Sequence, residues 1–496
     1  MVKKIENKLR FDVPTEIARM ARTLEGKGFE AYLVGGCVRD LLIGLRPKDW
    51  DITTNATPEQ ILAAFPGSFY ENEYGTVGVV NEKTEDETLK VVEVTPYRLE
   101  GGYSDKRRPD SVSWGSKLED DLKRRDFTVN AIALKLPNEL VDPFAGRTDL
   151  EKKTVRAVGE PQARFNEDAL RMLRAIRIAV ELNFTIDAAT QDAVAANAAH
   201  IKEIAAERVR DECIRIIMSD WPHVGLILSQ KLGILKYIMP ELEAGIGVKQ
   251  NKAHSFEVFE HMLRTVAHAA KKGFPLETRL AALFHDIGKP ATRRWSDEKK
   301  DWTFYGHDVV GAKITAKVMA RLAFPKKTIE AVTKMVRWHM FFSDTEKITH
   351  SAVRRIVNRV GKENIWRLMD VRLADRIGTG RPKESPYRLR KYHAMIEEVM
   401  RDPLSVAMLA IKGGRIMELT ALPQSPKIGQ ILHALLEEVL DEPKRNAAEY
   451  LENRARELAA LSDVELRRMG EKGRETKEKG EEKEIQEIRK RHWVSS

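Results

Sequence analysis

The chain has little cysteine and no long apolar segment, and each shortage argues against a class of protein. Its two cysteines, Cys37 and Cys213, stand far apart among 496 residues. That spacing argues against a disulfide framework and indicates a reducing compartment, so we expect a cytoplasmic protein. No apolar run reaches the roughly 18 residues of a membrane span. The basic start, residues 1–10, lacks the apolar core of a secretory signal.

The chain is instead rich in charge. Its 84 lysines and arginines outnumber 75 acidic residues, which gives a formal net charge of +9. A basic balance suits a polyanionic partner, although this small excess alone does not establish RNA binding. With 42% hydrophobic residues over such a length, the chain should fold into more than one globular domain.

A turn and an acidic pair near the N-terminus form the most informative pattern. Residues 31–34 predict a strand that ends at Gly35 and Gly36, where the backbone can approach a phosphate. A second extended segment carries Asp49 and Asp51, and their i, i+2 spacing points both carboxylates to one face. Convergent carboxylates beside an anion-binding turn predict Mg²⁺ bound to a polyphosphate, and hence nucleotidyl transfer.

Two later stretches fit the same chemistry. Glu93, in the middle of a β-branched run, is either a third metal-binding carboxylate or a surface acid of an edge strand. Arg124 and Arg125 suit phosphates. Asp126 and Asn130, placed i, i+4 on a predicted helix, can hydrogen-bond a ribose. A capped amphipathic helix with a basic start is the simpler alternative, but it explains less.

Residues 164–177 predict one amphipathic helix. Asp168, Arg171 and Arg174 step by three along one face, whereas leucine and isoleucine take the other. Taken alone, the segment reads as a helix laced with ion pairs. Beside the preceding motifs, its guanidinium groups and carboxylate are better suited to the Watson–Crick edge of a base, so that the protein itself acts as the template.

Together these stretches resemble the class II tRNA nucleotidyltransferases, the CCA-adding enzymes of the polymerase-beta superfamily. The resemblance runs in order over residues 28–180: Gly-Gly-Cys-Val-Arg-Asp, Asp-Trp-Asp, Arg-Arg-Asp-Phe-Thr-Val-Asn-Ala and Glu-Asp-Ala-Leu-Arg-Met-Leu-Arg. It implies a tRNA substrate, with CTP and ATP as the nucleotides and Mg²⁺ held by Asp49 and Asp51. The residues that it implies for nucleotide binding are Gly36, Arg39, Arg124, Arg125, Asp126, Asp168, Arg171, Arg174 and Arg177.

One loop predicts the product. Residues 100–110 resemble the flexible loop with which complete CCA-adding members switch from C to A addition, and which CC-adding relatives shorten. Residues 74–80 follow the CCA-adding pattern, where bacterial poly(A) polymerases carry a basic signature. A complete CCA-adding enzyme is therefore favoured. The alternatives among transferases are a CC-adding enzyme, an A-adding enzyme and a poly(A) polymerase.

A second constellation lies in the middle of the chain. Histidines and aspartates recur between segments that are apolar at helical spacing: His261, His285, Asp286, His307, His339 and Asp375. Such a set suits Mn²⁺, Fe, Ni²⁺, Co²⁺ or Mg²⁺, and the lack of sulfur ligands argues against structural zinc. The order resembles the HD phosphohydrolase superfamily over residues 250–380. The resemblance implies metal-dependent phosphoester hydrolysis, with a decayed scaffold as the alternative. Cyclic phosphates or 3′-phosphates that block a tRNA end would be suitable substrates.

We predict an α+β protein, with a small mixed-sheet head followed by an all-α neck, body and tail and an all-α HD domain. The expected domains are a nucleotidyltransferase head at 1–150, a helical neck and start of body at 151–245, an HD domain at 250–380, a helical body and tail at 385–465, and a charged tail at 466–496. We expect a monomer or homodimer without a membrane partner. Alternatives from other classes are a phosphohydrolase with a nucleotide-sensing head and a noncatalytic RNA-binding adaptor.

Overall fold

A computed structural model describes most of the chain, and it divides into two compact units. The described residues are 11–71, 75–101, 111–115, 117–252, 254–340, 348–462 and 465–466. The units are Met1–Pro240 and Glu241–Ser496. Within the described residues, no helix is long and apolar enough to cross a membrane.

The first unit is built on a mixed sheet. Its strands are β1 Tyr32–Val34, β2 Asp51–Thr54, β3 Phe69–Tyr70, β4 Val77–Val80, β5 Val91–Pro96, β6 Arg98–Gly101, β7 Ser111–Trp114, β8 Ala133–Lys135, β9 Glu139–Val141, β10 Thr154–Val155 and β11 Thr185–Ile186. The main sheet has the order β3-β4-β5-β2-β1-β8-β9. Within it β2 and β5 pair in parallel, and the other neighbours are antiparallel. Strands β6 and β7 form a separate hairpin, and β10 pairs with β11.

Most helices of the first unit follow the strands of the main sheet in chain order. They are α1 Thr15–Gly26, α2 Gly36–Leu42, α3 Pro58–Ala64, α4 Leu118–Lys123, α5 Gly146–Glu151, α6 Pro161–Glu167, α7 Leu170–Leu182, α8 Ala188–Asn197, α9 Ala206–Met218, α10 Pro222–Lys231 and α11 Leu235–Ile238, and α12 Pro240–Glu243 follows at the join. Helix α7 buries Leu170, Leu173 and Ile176 and ends at Asn183, which adopts a left-handed conformation.

Alternating burial along β5 fixes the direction of its side chains. Val92 and Val94 are wholly buried, whereas Val91 and Glu93 lie on the exposed face. This alternation is what a β-branched strand in a half-buried sheet requires. It places Glu93 on the face opposite the buried valines, beside Asp51 at the start of β2.

Three predicted local elements differ from the structure. Asp49 lies in a bend just before β2 and not inside a strand. Asp126 and Asn130 are not on an α-helix, because Asn130 ends a 3-10 turn, Thr128–Asn130. Asp168 lies in extended backbone between α6 and α7, so the predicted single helix is broken there. The carboxylate of Asp168 accepts a hydrogen bond from the Leu170 N–H at 3.0 Å, which favours starting a new helix.

The second unit is a helical assembly with one hairpin. Its helices are α13 Val258–Lys271, α14 Leu276–Phe284, α15 Lys289–Thr292, α16 His307–Arg321, α17 Lys326–Trp338, α18 His350–Val360, α19 Ile365–Gly378, α20 Tyr387–Val399, α21 Gly413–Thr420, α22 Pro426–Asp441 and α23 Ala448–Ala459. The hairpin consists of β12 Arg294–Ser296 and β13 Asp301–Thr303. This hairpin and the β10–β11 pair were not predicted, since each strand is only two or three residues long.

Small residues let three helices of the second unit pack closely. Ala269 of α13, Ala282 of α14 and Ala374 of α19 form one buried cluster against Phe274. At Gly378, near the end of α19, a methyl group would lie 2.2 Å from the Thr265 hydroxyl oxygen of α13. Close backbone approach therefore sets the spacing of the helices that carry the predicted metal ligands.

Candidate active sites

Carboxylates converge at the edge of the head sheet. The parallel register of β2 and β5 places Asp51 directly beside Glu93. Burial raises the pKa of Asp51, where Arg125 opposes the rise and Asp49 adds to it. Burial likewise raises the pKa of Glu93, with Asp51 as the next contribution. Asp51 and Glu93, each with a pKa raised in part by a neighbouring carboxylate, form an oxygen-rich set that suits a hard divalent cation.

The turn after β1 closes tightly over this set. Gly35 has a φ of +78°, and a Cβ built on it would lie 3.1 Å from both the Asp51 Oδ2 and the Arg125 Nη1. A side chain here would be strained and would crowd the Asp51 carboxylate. The following residue, Gly36, opens α2, and the Arg39 Nη2 comes within 3.6 Å of its built Cβ.

The predicted phosphate-binding arginines are anchored by a buried acid. Asp121, which is fully buried, accepts hydrogen bonds from Arg124 at 2.6 Å and from Arg125 at 3.2 Å. The two guanidinium groups hold the pKa of Asp121 below its usual range in spite of its burial. Arg39 donates to the Asn130 side-chain oxygen at 2.9 Å, so helix α2 contacts the 3-10 turn that follows these arginines.

Helix α7 is tied to the same segment by its arginines. Arg174 forms an ion pair with the buried Asp126 at 2.6 Å, and the Asn130 amide donates to the same carboxylate at 3.2 Å. Arg171 donates to the Arg124 carbonyl oxygen at 3.2 Å. The predicted phosphate-binding and base-reading motifs therefore form one connected surface.

Two further ion pairs define the surroundings of α7. Asp168 forms an ion pair with Arg208 of α9, with an N···O distance of 2.8 Å. Arg177 is almost fully enclosed and pairs with Glu212 at 2.7 Å, also from α9. Arg208 was not among the predicted site residues, since no local spacing signals an ion pair between segments 40 residues apart in the chain. The structure adds Arg208 as a group that holds the Asp168 carboxylate in place.

All six predicted ligands of the HD domain come together in the second unit. His261 Nε2 lies 2.9 Å from His285 Nε2, 3.1 Å from the Asp286 Oδ2 and 3.2 Å from the Asp375 Oδ1. The other carboxylate oxygen of Asp286, Oδ1, lies 3.4 Å from His307 Nε2 and 3.7 Å from His339 Nε2. Two groups able to hold a metal ion therefore share Asp286, one with His261 and His285 and one with His307 and His339.

Backbone carbonyls select the ligating nitrogen of three histidines. The Nδ1 atoms of His285, His307 and His339 contact the carbonyl oxygens of Ala282, Phe304 and Val336 at 2.6 to 2.8 Å. A carbonyl can only accept, so each Nδ1 donates and each Nε2 faces the cluster as the potential ligand. This donor set fits divalent transition metals well.

Charges within the cluster compete with burial. Burial opposes the imidazolium form of His285, but Asp286 and Asp375 outweigh it and raise the pKa of His285 to about 10. At His339 burial prevails and lowers the pKa to about 4. The carboxylates of this cluster are therefore held ionised, with the pKa of Asp286 and of Asp375 well below the usual range.

Comparisons with known proteins match the segments of the chain that contain the two candidate sites. A model of the poly(A) polymerase head domain matches residues 31–156, one of the probable RNA- and SrmB-binding site of polymerase A matches 183–246, and one of the HD domain matches 254–380. The CCA-adding enzyme of Geobacillus thermodenitrificans is 31% identical over 86% of this chain and 93% of its own length. The chain belongs to the tRNA nucleotidyltransferase family. This confirms the predicted resemblance, including the HD domain.

Other members of the tRNA nucleotidyltransferase family are equally similar. The A-adding enzyme of Deinococcus radiodurans is 34% identical over 82% of this chain and 91% of its own length, and the CC-adding enzyme of Thermus thermophilus is 35% identical over 82% and 89%. The crystal structure of the Bacillus stearothermophilus CCA-adding enzyme in complex with CTP superposes with a TM-score of 0.66 and 26% identity, over 90% of this chain and 99% of that chain. The predicted fold class is thereby confirmed.

We expect Asp51→Asn to raise stability while it abolishes nucleotide addition. The raised pKa of Asp51 means that its contribution to stability is present at low pH and is lost as pH rises through that pKa. At pH 7 the amide removes a buried charge, so the unfolding midpoint in urea should increase, and this gain should vanish below about pH 4. Addition should fall on the order of 10³-fold. The exposed Glu82→Gln variant should change neither quantity, and an active or destabilised Asp51→Asn protein would contradict the expectation.

We expect Gly288→Ala to loosen the HD cluster. A methyl group on Gly288 would lie 2.2 Å from the His307 carbonyl oxygen and 2.5 Å from the Gly311 nitrogen, so α16 must shift away from Asp286. Such overpacking should cost about 1–3 kcal/mol in the free energy of unfolding and weaken Mn²⁺ binding measured by calorimetry. The matched control is Gly429→Ala, where nothing lies near the added methyl group; it should be neutral or slightly stabilising. Equal behaviour of the two variants would show that the close approach is not required.

Proposed function

We propose that this tRNA nucleotidyltransferase completes the 3′-terminal CCA of tRNA from CTP and ATP without a nucleic-acid template. The observation that carries the proposal is the connection between the two head motifs. Arg171 contacts the Arg124 carbonyl and Arg174 contacts the Asp126 carboxylate, so a base read by α7 would lie beside the phosphate-binding segment. One nucleotide can then reach both groups and the carboxylates of β2 and β5.

Asp49 and Asp51, with Glu93 beside them, would hold Mg²⁺ in this reaction. Bound Mg²⁺ supplies the positive charge that lowers the pKa of the tRNA 3′-hydroxyl and neutralises the pyrophosphate as it leaves. Arg125, 3.1 Å from the position of a Gly35 Cβ, is placed to contact phosphate oxygens above the carboxylates. We assign Arg39 and Arg124 to the same phosphate-binding role.

Base choice is assigned to Asp168, Arg171 and Arg174. Each is already held by a partner: Asp168 by Arg208, Arg171 by Glu167 and Arg174 by Asp126. Held side chains lose little conformational freedom when a base arrives, so the protein can present a fixed set of donors and acceptors. We assign Arg177 and Glu212 to supporting α7 from behind.

The range of products needs a separate argument, because CCA-adding, A-adding and CC-adding relatives have similar identities. The length of the segment at 100–110 favours a complete CCA-adding enzyme. Residues 102–110 lie outside the described residues, and the strands before and after them, β6 and β7, pair in antiparallel fashion. A tRNA partner is consistent with a solved structure of the same fold. The Thermotoga maritima CCA-adding enzyme, solved complexed with tRNA, shares this fold with a TM-score of 0.54 at 19% identity.

Product length on truncated tRNA tests the proposal directly. Purified protein is incubated with Mg²⁺, CTP and ATP and with transcripts that end before CCA, before CA and before A. We expect addition of three, two and one nucleotides, followed by a stop. Termination after CC, addition of A alone, or long A-tails would each replace the proposal with the corresponding transferase. No addition at all would leave the head as a nucleotide sensor.

Arg208→Ala tests whether Arg208, by holding Asp168, increases the selectivity between nucleotides. Loss of the ion pair should leave Asp168 mobile, and the preference for CTP over UTP, measured as a ratio of kcat/KM values, should fall about tenfold. The matched control is Arg215→Ala, on the same helix, whose exposed guanidinium pairs with Glu181. An unchanged CTP preference in Arg208→Ala, or an equal loss in the control, would remove Arg208 from this role.

A second activity, phosphoester hydrolysis at the HD cluster, is favoured by the complete set of ligands. His261, His285, Asp286 and Asp375 would hold one divalent cation, and His307 and His339 would complete a second position through Asp286. Such cations supply an activated water for attack on phosphorus. Lys289, 2.6 Å from Asp286, adds a positive charge at the same place. Removal of cyclic phosphates or 3′-phosphates from tRNA ends would suit an enzyme that also extends those ends.

Separate variants distinguish the two activities. With Mn²⁺, Ni²⁺, Co²⁺ or Mg²⁺, we expect hydrolysis of 2′,3′-cyclic AMP by the wild-type chain and by Asp51→Asn. Asp286→Asn should lose hydrolysis and its Mn²⁺ binding while CCA addition stays intact. Absence of turnover with every metal, with Mn²⁺ still bound by the wild type, would identify the cluster as a decayed scaffold.

A further inference from the structure

A groove of about 680 Å³ opens beside the HD cluster. Asp286, His307, His339 and Asp375 all contribute to its wall. Its volume lies within the range of roughly 300–1,000 Å³ that is typical of pockets for small organic ligands. An inorganic phosphate or a single phosphoryl group would leave most of this space empty, so the groove has room for a much larger part of a substrate.

Among the described residues that line the groove, basic side chains outnumber acidic ones, so its net charge is positive. The described residues that line it include Lys289, Arg372, Arg376, Arg381 and Arg388. The acids among them are Asp286 and Asp375, which belong to the cluster, and Asp308, which forms an ion pair with Arg337. Two of these bases pair with the cluster acids, Lys289 with Asp286 at 2.6 Å and Arg372 with Asp375 at 2.7 Å. The other three, Arg376, Arg381 and Arg388, follow Asp375 in the chain and extend the positive charge past the cluster, as a chain of phosphates would require.

An exposed aromatic ring stands at the same groove. Tyr305 is 61% exposed and contributes to the groove wall. It lies two residues before His307, and Gly306 between them adopts a left-handed conformation that starts α16. Lys299 donates to the Tyr305 hydroxyl oxygen at 2.7 Å, which anchors the ring from the hairpin side. A large exposed ring, fixed next to a metal ligand and among arginines, is a stacking surface for a base.

We propose that this groove binds the 3′ end of an RNA strand, with Tyr305 stacking on a base and Arg376 and Arg381 contacting the phosphate of the preceding nucleotide. This inference rests on the proposed hydrolytic function and names its substrate as a strand end rather than a free mononucleotide. In the reaction on a cyclic phosphate, a water oxygen forms a new bond to phosphorus and one ring P–O bond breaks. The released ribose oxygen takes up a proton from water, and nothing is oxidised or reduced.

Three cyclic phosphates of increasing size test the proposal: glycerol 1,2-cyclic phosphate, 2′,3′-cyclic AMP and adenylyl-adenosine 2′,3′-cyclic phosphate. We expect kcat/KM to rise along this series. Tyr305→Ala should raise KM about tenfold for the two adenine compounds and leave the glycerol compound unchanged. Tyr305→Phe should restore the wild-type values. Arg376→Gln with Arg381→Gln should affect the dinucleotide alone.

Binding provides a readout that does not depend on turnover. The dinucleotide ending in a 3′-phosphate is titrated into protein in EDTA, and Tyr305→Ala should weaken its affinity about tenfold. Trp295→Ala is the matched control, because Trp295 is 52% exposed on the neighbouring hairpin but is not among the described groove residues. Weakened binding without any hydrolysis would support the strand-end groove and refute only the hydrolytic function. Hydrolysis and binding that are both insensitive to Tyr305→Ala would overturn the groove assignment and leave the hydrolytic function standing.

Discussion

Both sites of this protein depend on the same constraint: carboxylates lie close together, partly or wholly shielded from water, and their charges must be balanced by cations or by protons. In the head, Asp51 and Glu93 keep raised pKa values, whereas Asp121 and Asp126 are held ionised by arginines. Asp51 and Glu93 are therefore the pair that would gain most from added positive charge. In the HD cluster, four histidines surround two ionised aspartates, and the balance there is distributed over nitrogen ligands.

Close backbone contacts make that burial possible. Parallel pairing of β2 and β5 brings Asp51 beside Glu93 with no side chain between them, and Gly35 leaves room for Arg125. In the second unit, Gly288 and Gly378 likewise leave room for neighbouring atoms, and this allows close packing against α16 and by α19. A Cβ on Gly288 would meet backbone and one on Gly378 would meet the β-branched Thr265, so substitutions at these two positions should change ligand geometry before they change chemistry.

The sequence predicts the chemistry of the sites better than their local backbone. Motif order predicts both sets of candidate ligands, because the residue types and spacings are typical of metal and phosphate chemistry. Whether Glu93 is a surface acid or a member of the acidic set depends on strand register, which a β-branched run does not reveal. The break at Asp168 follows from a side chain that caps the next helix, a local choice that helical periodicity conceals. The domain boundaries and the oligomeric state, monomer or homodimer, stay predictions.

Cys37 is a free cysteine that the head keeps away from solvent. It lies in the first turn of α2 and is 1% exposed, and its thiol donates to the Val34 carbonyl oxygen at 3.1 Å. Burial, with Asp51 nearby, raises its pKa to about 12. The thiolate that oxidants and alkylating agents attack is therefore scarce and out of reach. Although a cysteine stands next to the turn after β1, alkylating agents and peroxide should therefore leave the head carboxylates and their surroundings unmodified.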